Sequence, residues 1–469
     1  MNMFEKGSVR TLLKVSLPLM VSYLSLFTMM FVDRAFLAQY STEALNACVK
    51  AGTLAWAVNL GWLTMAAMAE VFVAQYNGAK AYAKLGKPVW QMLWLMVFSV
   101  AVFIPTAIWG GDLLYGAGSM PATYFRWSLF CGPFYIATAA LSAFYIGQGK
   151  TMTITVLAVI GNTINIVLDP LFIFGYKGIP SMGIKGAAIA TGIGVLFQAV
   201  VLFFMFTSKK NQEEKGSGLW RFSAPDFFRC LKIGISPALF ITFELVGWSM
   251  YYQMMSTISE QHIFVAGVCQ SIFLLFVFFG CGIEKGSAAI AGNFIGAGRL
   301  DEVYRLMRSG MKLIAVFALI IGVFLIGYPD LLVAWFIKSN YALKGESMMH
   351  VKEAATELAH AKMLIKTGLV YIFFYLIAEK TRWLISGILT AAGDTFFLMI
   401  SGSLCVWLGM VAPTYFFVVR TSGTITQSFI IWLIYSSVAS MIFFARFAFG
   451  KWKTLQIIEK ESPASSSST

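Results

Sequence analysis

The sequence predicts an all-α polytopic membrane protein of twelve transmembrane helices, arranged as two six-helix lobes related by a parallel repeat. Three observations carry this. The chain is 58% hydrophobic and only 12% charged over 469 residues, against roughly 25% charge in soluble domains, so no water-soluble core could hide its apolar surface. Apolar runs of about 20 residues, the length that spans a bilayer as a helix, recur from end to end. The second half also repeats the first. Pro18 in KVSLPLMVS and Pro237 in KIGISPALF lie 219 positions apart, Gly78 in AQYNGAK and Gly296 in GNFIGAG 218 apart, and Gly149 in IGQGKT and Gly393 in TAAGDT 244 apart. Six spans per half is an even number, so both halves run the same way through the membrane, with substrate expected between them near the midplane.

In chain order the spans are predicted at 11–37, 46–74, 88–110, 122–146, 151–176 and 183–207, then 230–257, 264–291, 306–336, 360–390, 396–419 and 424–449. The first run is too long for a signal-peptide core and no small-residue cleavage site follows it, so it is read as a retained helix. Lys6, Arg10 and Lys14 stand at its start. Lys80, Lys84 and Lys87 follow span two, and Lys209, Lys210 and Lys215 follow span six. Arg299, Arg305, Arg308 and Lys312 follow span eight, and Lys451 and Lys453 follow span twelve. The opposite loops are poorer in lysine and arginine, which places both termini and the central linker in the cytoplasm and the chain in the cytoplasmic membrane. The predicted division is an N-lobe at 1–207, a polar cytoplasmic linker at 208–229, a C-lobe at 230–450 and a cytoplasmic tail at 451–469, low in complexity after Lys460. The repeat offset grows from 218 to 244, which marks an outer insertion at about 339–362.

Against this apolar background the polar groups within spans are the candidates for chemistry, since a charge at bilayer depth costs about 2.5–3.5 kcal/mol. In span five, Asn162, Asn165 and Asp169 are spaced to share one helix face, and Pro170 frees the carbonyl of Ile166 beside the carboxylate. Asp33 lies roughly 22 Å beyond Pro18 along span one, so a bend at that proline would swing the acid. In the second half, Glu244 stands seven residues past Pro237, and Glu379 has Lys380 beside it and Arg382 one turn on. Glu70 is expected to snorkel toward the nearer membrane face, and Glu284 and Lys285 to neutralise each other or reach water. No enzyme inventory is present. His262, His350 and His360 fall in or beside outer loops, and Cys48, Cys131, Cys230, Cys269, Cys281 and Cys405 are scattered without metal-ligand spacing. No nucleotide-binding loop is visible, and GQGK reads as a tight turn. No catalytic residue, bound metal or cofactor is expected, and the net charge of +13 belongs to the membrane topology rather than to a nucleic-acid partner.

The asparagine–aspartate pair ending in LDPLFIFG, the short glycine-rich loop, and GIKGAAIAT ending at Thr191 resemble helices five and six of the multidrug and toxic compound extrusion (MATE) transporters. The AQYNGAK, GNFIGAG, GQGKT and AGDT turns extend the resemblance over about residues 10–450. It implies a V-shaped, bilobate exporter of organic cations and other xenobiotics in exchange for protons or sodium. Such a protein needs a small cationic substrate and the bilayer as partners, and is taken to act as a monomer. Residue by residue, Asp33, Asn165, Asp169 and Thr191 fall on the family's N-lobe cation-coupling positions. Two crowded acids there favour holding a proton, while Asn165 and Thr191 add neutral oxygens that suit sodium. Glu244 and Glu379 fall on NorM-like C-lobe positions for substrate or a secondary cation, although such members usually carry aspartate where this chain has Glu379. Glu244 has no basic neighbour within a turn of its own helix, so it is expected to meet the cationic substrate, with Phe240, Phe243 and Trp248 adding cation–π contacts of about 0.5–2 kcal/mol each. Pro18 and Pro237 are the expected hinges of a rocking motion. The bend is expected in helix one alone, because Tyr252 stands where the second half would repeat Asp33. The alternatives are a lipid-linked saccharide flippase of the same superfamily and, from another class, an integral membrane enzyme.

Overall fold

The computed structural model describes residues 4, 6–330, 333, 351–455, 457 and 458. Positions 339–350 of the predicted insertion and the low-complexity tail lie outside them. The spanning elements are α1 Val9–Tyr40, α2 Thr42–Gly78, α3 Tyr82–Tyr115, α4 Met120–Gly147, α5 Thr151–Ile173 and α6 Ile184–Phe206. After them come α7 Ala224–Ile258, α8 Glu260–Leu274 continuing as Val277–Gly296, α9 Leu300–Gly327, α10 Val351–Ala391, α11 Thr395–Val419 and α12 Ile425–Phe449. Eleven are single spans, and α8 makes the twelfth as a pair of segments bent by 45°. Among the described residues the one departure from helix and loop is an isolated bridge between Tyr176 and Ile179 before α6.

The polar linker between the halves packs against α3. It carries a short helix, Lys209–Lys215, closed by Gly216 at φ 63°, and then runs pinned along α3. The indoles of Trp90 and Trp94 donate to the carbonyls of Ser217 and Trp220 at 2.6 and 2.9 Å, and Gln91 donates to the carbonyl of Arg221 at 3.1 Å. Lys87 pairs with Asp226 at 2.6 Å. These donors project from an apolar helix near its end, where an indole or amide needs an acceptor, and the linker backbone supplies it.

The two halves meet along a seam to which α1 and α7 contribute. The early part of α1 lies on α8, where a Cβ at Gly286 would overlap the Ser16 hydroxyl and one at Gly282 would overlap Met20. In the second half α7 lies on α2 in the same way: a Cβ at Gly234 would stand 2.9 Å from the carbonyl of Met65. By the offset of 219 that aligns Pro18 with Pro237, Gly234 corresponds to Val15, one residue from Ser16, so the two seats fall at equivalent levels of the repeat. The turn glycines are reciprocal too. Gly78 rests on the backbone of Asn293, and Gly296 on that of Gln75. A pseudo-twofold axis therefore runs between them. The same end is tied by Asn77 donating to Asn293 Oδ1 at 2.6 Å and Gln75 to the carbonyl of Ala391 at 2.7 Å. The N-terminal segment crosses over as well, the Gly7 amide donating to Glu302 of α9 at 2.7 Å. Phe4, the turns at Gly78 and Gly296, and Lys453, Thr454, Leu455, Ile457 and Ile458 ring a cavity of about 1000 Å³ at this end of the bundle.

Candidate functional site

Glycine decides the geometry of the first-half site. Gly161 of α5 and Gly194 of α6 face each other, and a Cβ on Gly161 would lie 2.8 Å from the carbonyl of Gly194. This close approach carries Thr191 across to Asn165, whose amide donates to the threonine hydroxyl at 3.2 Å and reaches Asp169 Oδ1 at 3.4 Å. Asn165 and Asp169 are fully buried. From α1, Asp33 sets its carboxyl against Asp169 and within reach of Thr191. The four sequence-predicted residues thus meet at one place, with Tyr124 and Tyr135 of α4 within electrostatic reach of Asp33. Asp33 Oδ1, Asn165 Oδ1 and Asp169 Oδ2 are all buried and accept no hydrogen bond. Asn162, the third member of the stripe, lies outside this cluster and donates to Ser25 of α1 at 2.9 Å. Among the described residues no group of three or more His, Cys, Asp or Glu side chains gathers as a metal site, so a cation here would be held by two carboxylates and neutral oxygens.

In the second half Glu244 and Glu379 also come together, but not as free acids. Arg382 Nε donates to both oxygens of Glu379 at 3.1 and 3.2 Å, and its Nη2 reaches Glu244 Oε1 at 3.1 Å. Trp383 adds a donor to Glu379 at 3.0 Å. The expectation that Glu244 carries an unengaged charge is therefore corrected: its partner comes from α10, 138 positions on, beyond any test confined to its own helix. The cation facing Phe240 is likewise the protein's own Arg382, 5.7 Å from the ring centroid, while Trp248 stacks among Tyr251, Tyr252 and Trp432. Glu244 retains 20% side-chain exposure against 3% for Glu379, so it is the more accessible of the two acids. Lys380 is fully buried without a hydrogen-bond acceptor, its ammonium 4.2 Å from the Trp383 ring and 5.0 Å from Phe273.

One further expectation is overturned at the seam between the halves. Glu70 does not snorkel: it is 3% exposed and pairs with Lys285 of α8 at 3.5 Å. Glu284, half-buried, accepts from Ser386 at 2.8 Å rather than pairing directly with Lys285. Adjacent residues on a helix point to different faces, so Glu284 turns to α10 while Lys285 turns to α2. Pro18 and Pro237 lie within unbroken helices, beside the seats of α1 on α8 and of α7 on α2.

The MatE family profile matches residues 18–171 and 237–415, one segment in each half. The chain is 22% identical over 466 residues to the probable multidrug resistance protein NorM of Thermotoga maritima, spanning 96% of this chain and 95% of that protein. It is 25% identical to a protein described in the same words from Listeria monocytogenes, over 84% of this chain and 85% of that one. It is 28% identical to the multidrug resistance protein MdtK of Klebsiella pneumoniae over 50% of this chain and 54% of that protein. Among solved structures, a MATE protein in the straight conformation aligns with a TM-score of 0.81 at 15% identity, over 96% of this chain and 98% of that one. An outward-facing multidrug resistance MATE transporter of the MOP superfamily aligns with a TM-score of 0.79 at 15% identity, over 97% of both chains. At this identity the structural likeness speaks for the fold.

Proposed function

The chain belongs to the MatE family of transporters, and from that premise we propose that it is a proton- or sodium-coupled antiporter exporting organic cations or other xenobiotics across the cytoplasmic membrane by alternating access. The observation that carries the coupling half is the set of three buried acceptor oxygens on Asp33, Asn165 and Asp169 that no donor meets. Unpaired buried acceptors are costly, and a proton shared by the two acids or a sodium ion among these oxygens would satisfy several at once. A site that gains so much from a small cation favours the loaded form, and releasing the ion on the other side returns the pair to its charged form. Glu244, held by Arg382 yet partly exposed, is the proposed contact for substrate, with Glu379 behind it. The end where the basic loops gather is taken as cytoplasmic, as lysine and arginine bias predicts.

Purified protein in liposomes tests this by dye efflux under an imposed pH or sodium gradient. Asp169→Asn and Asp33→Asn are expected to lose gradient-driven efflux while still binding the dye. Wild-type efflux in both variants would overturn the assignment. Translocation of a lipid-linked sugar in place of dye efflux would instead support the flippase alternative.

A further inference from the structure

A groove of about 380 Å³ opens on the flank of the first half between α3, α4 and α6. Its lining is wholly hydrophobic, with Trp90, Leu93, Leu141, Leu196, Phe203 and Phe204 among the side chains, and Phe204 is 70% exposed. At one end the groove meets the linker, where the Trp90 indole donates to Ser217 at 2.6 Å. Two residues before Ser217 stands Lys215, its ammonium 5.8 Å from the Phe144 ring. Phe144 packs on Phe206 at 4.9 Å, and Phe206 on Trp90 at 5.7 Å. A row of rings thus runs from the lysine through the buried Phe144 and Phe206 to Trp90 at the wall of the groove.

Lys215 is not alone there. Its ammonium donates to Gln148 Oε1 at 2.5 Å and faces the ammonium of Lys150, with Lys210 adding positive charge nearby and Glu214 partly offsetting it. Burial, and then the Lys150 charge, push Lys215 down to about 8. Lys150 also caps the N-terminus of α5 without a side-chain hydrogen bond to it, so the positive end of a helix adds to the same place. A fold that crowds two ammonium groups beside a bilayer-facing groove presents both halves of a lipid-binding site, since basic pockets at helix ends hold anionic headgroups.

We propose that the chain binds one anionic glycerophospholipid on this flank, its phosphate between Lys150 and Lys215 and an acyl chain along the groove of α3, α4 and α6. A soluble phosphate would answer the lysines but leave the groove unfilled. A zwitterionic lipid would fill the groove but bring its own cation to the lysine pair.

The full chain in neutral detergent, titrated with phosphatidylglycerol, phosphatidylcholine or inorganic phosphate, separates these cases by native mass spectrometry and thermal melting. Phosphatidylglycerol is expected to bind one to one and raise the melting temperature, with the other two having weaker effects. A lysine beside an anionic headgroup contributes about fivefold in affinity, so Lys150→Gln with Lys215→Gln is expected to weaken phosphatidylglycerol binding about 25-fold. Leu196→Trp, at a position 37% exposed, fills the groove without entering the core and is expected to weaken it as well. Equal affinity for phosphatidylcholine, wild-type binding by either variant, or equal protection by inorganic phosphate would each overturn the proposal.

Discussion

Arg382 holds carboxylates from two helices at once, and the two acids therefore respond differently to substitution. Removing the guanidinium strands Glu244 and Glu379 against each other, and breaking a buried pair in this way costs about 3–5 kcal/mol. Arg382→Met is expected to lower the melting temperature in detergent by several degrees, read by scanning fluorimetry. Glu244→Gln leaves Arg382 still paired with Glu379, so its stability cost should be much smaller. Its effect should appear in ligand titrations, as weaker binding of a permanently cationic dye with little change for a neutral one. Equal losses for both dyes would make Glu244 a folding residue. At this scale the sequence was half legible. The acids and amides stand out because a polar group in an apolar helix has few harmless explanations. Their partners do not: Arg382 meets Glu244 across 138 positions and Lys285 meets Glu70 across 215, and helix periodicity carries no information about contacts between helices.

Helices α5 and α6 show what a position without a side chain does for a site. Gly194 lets α6 lie directly on Gly161, and the hydrogen bond from Asn165 to Thr191 depends on that closeness. Gly194→Val should wedge the pair apart at an overpacking cost of about 1–3 kcal/mol. Gradient-driven efflux should fall sharply while the protein still purifies as a folded species. Gly61→Val is the matched control, since nothing lies within 4 Å of a Cβ there, and it should transport as wild type. The glycine pattern was visible in GIKGAAIATGIG, but its use was not, because the same letters serve any close helix contact. The bend in α8 was missed for a related reason. Its break follows Leu274, where neither glycine nor proline marks it. At Pro18 the hinge reading gains a setting: Ser16 and Met20, on either side, rest on α8, so a bend there would alter a contact between the halves as well as move Asp33.

For the whole molecule the twelve spans and the repeat were legible, because bilayer thickness fixes span length and the duplicated turns fix the offset. The contacts of α1 with α8 and of α7 with α2 were not, since a repeat shows which elements correspond and not which ones touch. The halves meet through Asn77 with Asn293, Gln75 with Ala391, and the ion pair of Glu70 with Lys285. The alternating access proposed above would require this seam to part. Glu70→Gln or Lys285→Met is therefore expected to shift the protein toward the state open at the Gly78 end. Spin-label distances across that end should lengthen in a larger share of molecules than in wild type. An unchanged distribution in both variants would remove the pair from the gate.

The seating of α1 on α8 also sets a timetable for synthesis. Gly286, the slot for Ser16, is made 270 residues after it. At roughly 5–20 residues per second on the ribosome, this one contact of α1 waits about 14–54 s for its slot, while the contacts of α1 with α5 can form sooner. Insertion order and packing order are thus different sequences of events. The element that arrives late is α8, and its Gly282 and Gly286 present no side chain to obstruct its seat against the α1 already in place.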